Sequence, residues 1–356
     1  MNSQFPPVQA QVVPEMSTAT RSRGPSIWGC LVMFLLLVAL GGSIVANVVL
    51  IGLYCSNNLL ETDGRVQEQF VSHQQAAHDK IAVISVEGVI MEEEGFVKRQ
   101  IDRAAHDPTV KGVVLRVDSP GGTVTASDFL YHHLSQLREK SKIPIVVSMG
   151  GLAASGGYYV SMAVGEGPDT IFAEPTTWTG SIGVVIPHYN FAELMKTWGI
   201  KEDSIASHRL KTMGSFFKPM TEEERQIFQT LVDDSFTQFK NIVKSGRSKF
   251  RKNPQALDKL ATGQVFTAEQ ALKDGLIDKI GYLDAAVDRA IQLAGVSGDN
   301  VRVVKYKREV SLSSMFLEGQ SDSQSFDLAK MLELAAPRAY FLWTSVPPLA
   351  ASRPKE

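Results

Sequence analysis

Apolar and polar positions divide this chain into five stretches of different character. Residues 1–26 are polar, with Gln, Pro and Ser prominent, and predict a disordered tail. From Ile27 to Tyr54 no charged residue occurs, and Leu31 to Leu40 is almost wholly aliphatic. As a helix these 28 residues would span about 42 Å, against a hydrocarbon core of about 30 Å. The pattern predicts one tilted transmembrane helix over 27–54. Residues 55–79 are polar again and predict a helical juxtamembrane linker. Residues 80–308 carry the dense apolar periodicity of a folded domain. Residues 309–356, Ser- and Gln-rich before a Pro-containing end, predict a mostly disordered C-terminal tail with one short helix around Leu328 to Ala335.

Within 80–308 short apolar runs alternate with helix-like segments. Lys80 to Ile90, Val110 to Val117 and Ile143 to Met149 read as strands buried on both faces, since their aliphatic residues are continuous rather than alternating. Helical patterns follow at Glu94 to Ala105, at Thr125 to Glu139 and from Ser155 onward. Thr170 to Ala173 and Ile182 to Ile186 predict two further short strands. A long amphipathic helix opens at Thr221, with Glu222, Glu223 and Glu224 in its first turn, where acidic groups suit the helix dipole. Gly263 to Gly281 reads as a turn, a capped short helix and a glycine-ended strand. Repeated strand, turn and helix units predict a layered α/β domain with largely parallel pairing.

Charge places the ends. Arg21 and Arg23 precede the apolar helix while Glu61 and Asp63 follow it, so the positive-inside rule predicts a cytoplasmic N-terminus and a domain outside. The formal net charge of −2 lacks the basic surplus that nucleic-acid binding needs. Cys30 and Cys55 border the apolar segment, about 37 Å apart along a helix, and cannot bridge within one chain. No zinc-type Cys/His spacing occurs, and the reading requires neither metal nor cofactor.

The candidate chemistry centres on Gly150-Gly151-Leu152-Ala153-Ala154-Ser155-Gly156-Gly157-Tyr158-Tyr159. A buried strand there delivers a small hydroxyl onto a glycine-walled turn, which leaves room for a substrate backbone. A serine hydroxyl needs a base. His188 and His208 are weak candidates, and the other five histidines fall in linker or helix patterns. Lys211 is the stronger candidate, flanked by Leu210, Met213, Phe216 and Phe217, which could dry it, and by Arg209 and Lys218. A lysine accepts a proton only as the neutral amine, which dryness and like charge both favour. Ser181, in Thr179-Gly180-Ser181-Ile182-Gly183, could orient that amine. Gly121 and Gly122, after Asp118-Ser119-Pro120, and Gly156 could offer backbone N–H groups to a developing oxyanion.

Val117-Asp118-Ser119-Pro120-Gly121-Gly122, Ala153-Ala154-Ser155-Gly156-Gly157-Tyr158-Tyr159, Thr179-Gly180-Ser181-Ile182-Gly183-Val184, and Lys211 before Pro219-Met220-Thr221-Glu222-Glu223-Glu224-Arg225 together resemble the signal peptide peptidase A (SppA) family. These are membrane-bound bacterial serine proteases with a Ser–Lys dyad, and the resemblance covers about Lys80 to Ala290. It implies a Clp-protease/crotonase-like fold of the short, single-domain type, with Ser155 as nucleophile and Lys211 as general base. It also implies homo-oligomeric rings in which the dyad forms within or between protomers, the bacterial inner membrane as location, and cleaved signal peptides or other short apolar peptides as substrates. Three other readings stand beside it. A catalytically silent membrane scaffold could share the fold. A Clp-type Ser-His-Asp protease would need a histidine about where Ser181 stands. A crotonase-type acyl-CoA enzyme clashes with the anchor.

Overall fold

The computed structural model describes residues 27–62, 66–308 and 338–343. The chain divides at Glu61 into two units. The first contains helix α1 (Ile27–Thr62), which runs on beyond Tyr54, the predicted end. Its stretch Leu31–Leu50, 20 residues, is long and apolar enough to cross a membrane. Its described side chains are exposed on every face, which suits a helix solvated by lipid.

The second unit is built on one sheet. In chain order its elements are β1 (Val66–His73), β2 (Asp79–Ile90), α2 (Phe96–His106), β3 (Val110–Thr123), α3 (Val124–Ser141), β4 (Ile145–Ala154), α4 (Gly156–Ser161), β5 (Ile171–Ala173), β6 (Trp178–Gly180) and α5 (Ala192–Thr197). There follow α6 (Glu222–Gly246), α7 (Ser248–Lys252), α8 (Pro254–Leu260), β7 (Val265–Thr267), α9 (Ala268–Asp274), β8 (Lys279–Ile280), α10 (Leu283–Ala294), β9 (Val301–Arg308) and β10 (Tyr340–Leu342). The strand order is β1-β9-β2-β3-β4-β5-β8, with β6 beside β4 and β7, and β10 beside β3. The central pairs β2–β3, β3–β4 and β4–β5 are parallel, as the repeated strand, turn and helix units predict.

Both faces of the sheet are covered, which explains why its strands read as continuous apolar runs. Ala82, Ile84 and Val86 of β2 and Val113, Leu115 and Val117 of β3 join Ile101 of α2 and Leu130, Leu134 and Leu137 of α3 in one core. The intervening Ile81, Val83 and Val114 join Ala286, Val287, Ala290 and Ile291 of α10 in a second. Successive residues of a strand point to opposite faces, so each face claims every other side chain. Helix α3 begins where the Thr123 hydroxyl accepts from the Ala126 N–H at 3.2 Å, and it ends at Lys142 in the left-handed region.

Three elements differ from the sequence reading. The linker expected to be helical forms β1, which pairs antiparallel with β9 at the sheet edge. Its polar residues suit a strand with only one paired side, and the partner lies over two hundred positions away. Ile182 to Ile186 makes only an isolated bridge at Val185, because Gly180 and Ser181 both take positive φ, 86° and 51°, and reverse the chain there. The strand is instead β6, immediately before that reversal. Last, residues 338–343 of the expected tail supply β10, antiparallel to the end of β3. The expected helix around Leu328 to Ala335 lies outside the described residues.

Candidate active site

Ser155 stands between the last residue of β4 and the first of α4, so a single residue turns strand into helix. Its φ of 55° and ψ of −113° are rarely adopted by L residues, and such conformations cost about 1–3 kcal/mol. The surrounding frame imposes it. The Ser155 N–H donates to the Gly180 carbonyl at 2.8 Å, and the Tyr159 N–H donates to the Ser155 carbonyl at 2.9 Å. The residue is 1% exposed. A small hydroxyl held in a strained, buried turn by rigid elements is pre-positioned rather than mobile.

The three glycines of the sequence reading converge beside it. A Cβ on Gly156 would fall 3.0 Å from the Gly121 Cα and 3.0 Å from the Gly122 nitrogen, so only hydrogen fits among them. A Cβ on Gly122 would meet the Ile90 carbonyl oxygen of β2 at 1.8 Å. Their roles are unequal, however. The Gly121 N–H donates to the Ser119 hydroxyl at 3.1 Å and is engaged, so Gly121 contributes space and its φ of 102°. Gly122, which pairs with Phe341 of β10 across the ladder, and Gly156 supply the other backbone N–H groups of the cluster.

Ser181 follows directly on Gly180, the residue that binds the Ser155 N–H, and so lies next to the Ser155 turn. Its own N–H donates to the Gln264 carbonyl at 2.7 Å and its hydroxyl to the Gly263 carbonyl at 3.1 Å. The hydroxyl oxygen keeps lone pairs with which to accept. Lys211 differs. It lies in a 3-10 turn, Arg209–Thr212, whose recorded partners are local: Lys211 N–H to the His208 carbonyl at 2.9 Å and Arg209 to Glu223 at the start of α6. Its side chain is exposed, and no hydrogen bond or ion pair to it is found among the described residues. The drying expected from Leu210, Met213, Phe216 and Phe217 is incomplete in one chain, since Phe217 itself is 49% exposed. Of the histidines considered, His188 faces the Ser215 carbonyl at 3.3 Å and His208 accepts from the Leu210 N–H at 3.2 Å.

Several neighbours carried no role in the sequence reading. Tyr159, Phe239 of α6 and Phe341 of β10 pack as one aromatic cluster, with ring centroids 4.6–5.1 Å apart. The Tyr159 hydroxyl donates to Asp128 at 2.6 Å; burial first, and then this carboxylate, push its pKa well above the ordinary tyrosine value. Ser119 and Ser127 line the glycine cluster, and a Cβ on Gly156 would reach the Ser127 Oγ at 2.5 Å. The Tyr158-Tyr159 pair belongs to the serine motif, whereas Ala339-Tyr340-Phe341-Leu342-Trp343 falls in the Pro-containing end that reads as a tail, and no local rule joins the two.

The family model of peptidase family S49 matches residues 137–297, a span that includes Ser155, Ser181 and Lys211. Protease 4 of Haemophilus influenzae is 36% identical over 273 residues, which cover 73% of this chain and 43% of that protein. The chain therefore spans less than half the length of this relative. A candidate signal peptide peptidase SppA of Enterococcus faecium is 34% identical over 248 residues, 66% of this chain and 69% of that protein. A candidate protease of a Synechocystis strain is 35% identical over 246 residues, 69% of this chain and 86% of that protein. The sheet covered by helices agrees with the Clp-protease/crotonase-like layering expected of such relatives. Identity above 30% over more than two thirds of two relatives, together with the family match, establishes that the chain belongs to peptidase family S49.

Proposed function

We propose that this chain is a membrane-anchored serine endopeptidase that hydrolyses extended apolar peptides, cleaved signal peptides among them, through Ser155 and Lys211. The observation that carries the reading is the buried, strained Ser155 turn set against Gly121, Gly122 and Gly156. The Ser155 Oγ attacks the scissile carbonyl while the Lys211 amine, oriented by the Ser181 hydroxyl, takes its proton. The N–H groups of Gly122 and Gly156 hold the oxyanion, and the proton passes to the leaving nitrogen. Water then hydrolyses the acyl-enzyme and regenerates the serine.

The exposed Lys211 side chain bears on where its amine becomes dry. A second copy covering the 3-10 turn would supply that environment, and a homo-oligomer is part of this reading. Helix α1 anchors the body to a bacterial inner membrane, with the N-terminus cytoplasmic and the body outside; Arg21 and Arg23 support that orientation.

Ser155→Ala and Lys211→Ala are each expected to lower peptide hydrolysis at least about a thousandfold while leaving the melting temperature within a few degrees. Retained turnover in either variant sinks the dyad. A serine-directed acylating probe should label Ser155 in the native chain, and its failure to do so would favour a silent scaffold. Mixing the two inactive variants restores activity in a concentration-dependent way if the dyad forms between copies, and leaves both inert if it forms within one.

A further inference from the structure

Ser127, the fourth residue of α3, is wholly buried, and among the described residues its Oγ has no hydrogen-bond partner. Other buried hydroxyls around the glycine cluster are all engaged. The Ser119 Oγ accepts from the Gly121 N–H at 3.1 Å, the Ser161 hydroxyl donates to the Gly157 carbonyl at 2.8 Å, and the Ser181 hydroxyl donates to the Gly263 carbonyl at 3.1 Å. A serine inside a helix commonly turns its hydroxyl back onto the carbonyl four residues earlier, and Ser127 does not. A buried hydroxyl without a partner carries its full desolvation penalty, so this oxygen opposes folding rather than supporting it.

The oxygen lies against the backbone of Gly156. A Cβ on Gly156 would fall 2.5 Å from the Ser127 Oγ, and the Gly121 Cα and the Gly122 nitrogen would each lie 3.0 Å from the same point. Three groups therefore close around the bare side of the Gly156 Cα. The next residue of α3 makes a second contact one turn along α4, where Asp128 accepts from the Tyr159 hydroxyl at 2.6 Å. The start of α3 thus buttresses the start of α4. With only six residues, α4 (Gly156–Ser161) is too short to hold its own first turn, so the place of the Gly156 N–H is set by what packs on it. Backbone donors serve an oxyanion only where they are held to within about 0.5 Å of the productive geometry.

We infer that Ser127 is a positioning residue for the proposed reaction: its Oγ braces the Gly156 backbone against Gly121 and Gly122, and so fixes where the Gly156 N–H meets the developing oxyanion. This deepens the peptidase reading proposed above and rests on it. An alanine at 127 leaves that side of Gly156 uncovered, and the amide gains room to retreat as charge builds on the substrate oxygen. The loss falls on the transition state rather than on the bound peptide, hence on kcat rather than on KM. Because the hydroxyl is unpaired, the same substitution also removes a desolvation penalty. Activity falls while stability does not, a combination that a residue serving only to pack the core does not give.

The test uses the full-length chain, with hydrolysis of an apolar peptide, acylating-probe labelling and urea unfolding measured on each variant. Ser127→Ala is expected to lower kcat about tenfold with KM within about twofold of native, at a urea midpoint equal to or above that of the native chain. Ser127→Cys, whose sulfur fills the same place, should recover most of the lost kcat. Once the oxygen is gone a methyl on Gly156 has more room, so Ser127→Ala combined with Gly156→Ala should lose less kcat than the product of the two single losses. Unchanged kcat in Ser127→Ala, a midpoint that falls together with kcat, a cysteine no more active than the alanine, or strictly multiplicative losses in the double variant each overturn the inference and spare the peptidase reading. A native chain that neither labels nor hydrolyses any peptide overturns both.

Discussion

At Ser155 the backbone adopts a conformation that glycine would hold without strain, yet a side chain is present. The strain is confined to the native state, so replacing Ser155 should separate conformation from chemistry. Ser155→Gly is expected to be more stable than Ser155→Ala by about 1 kcal/mol, read as a higher urea midpoint, although neither variant hydrolyses peptide. Gly156 makes the complementary case. Gly156→Ala would set a methyl 2.5 Å from the Ser127 Oγ and 3.0 Å from the Gly122 nitrogen, displacing the proposed oxyanion donors. A fall of about a hundredfold in kcat with little change in KM is expected. An unchanged kcat would show that the donors lie elsewhere.

Among the elements, α6 and the ion pairs that join the start of β2 to β1 and to the turn before β3 have stability signatures that can be measured. Helix α6 starts in a full capping box: the Thr221 hydroxyl accepts from the Glu224 N–H at 3.2 Å and the Glu224 carboxylate accepts from the Thr221 N–H at 3.1 Å. Thr221→Ala should cost about 1 kcal/mol by thermal or urea unfolding. At the start of β2 the Lys80 ammonium bridges Glu68 of β1 and Asp107, each at 2.8 Å. Burial alone would raise the Asp107 carboxyl, but hydrogen bonds from Lys80 and Thr109 outweigh it and hold the pKa at about 2. A carboxyl held low stabilises the fold above its unfolded value near 4 and loses that contribution as pH falls through 2. Asp107→Asn should therefore be less stable than the native chain by about 2 kcal/mol at pH 7, with the gap closing between about pH 4 and pH 2 in unfolding titrations. A gap independent of pH would refute the assignment.

The described residues form an apolar helix and a body with its own two-faced core. Because the body buries its apolar residues within itself, a chain lacking residues 1–61 should melt within a few degrees of the full chain in detergent. A large drop would show that the helix contributes to the core.

How much of this could be read in advance depended on the range of the interaction. The twofold-covered strands, the helices between them and the charge-free helix were legible because each is set by residues a few positions apart. The Ser155 turn was legible because glycine and small residues leave a strand-to-helix reversal few alternatives. The strand character of Val66–His73 was not, because its polar sequence becomes a strand only through the open edge of β9. Engagement of the Gly121 N–H by the Ser119 hydroxyl was hidden for a similar reason: which of several adjacent donors is free depends on one side-chain rotamer.

By itself the sequence determined the periodicities, the turn chemistry, the apolar helix and the small set of hydroxyl, amine and glycine residues from which a site could be made. Only the tertiary structure decided which of them meet. Gly122 and Phe341 are over two hundred positions apart, yet face each other across a ladder, while Lys211 stays exposed within one chain. The physical reason is that local dihedral preferences are written residue by residue. Pairings between distant segments arise instead from backbone groups and apolar surface that find partners only once the chain has collapsed around a common core.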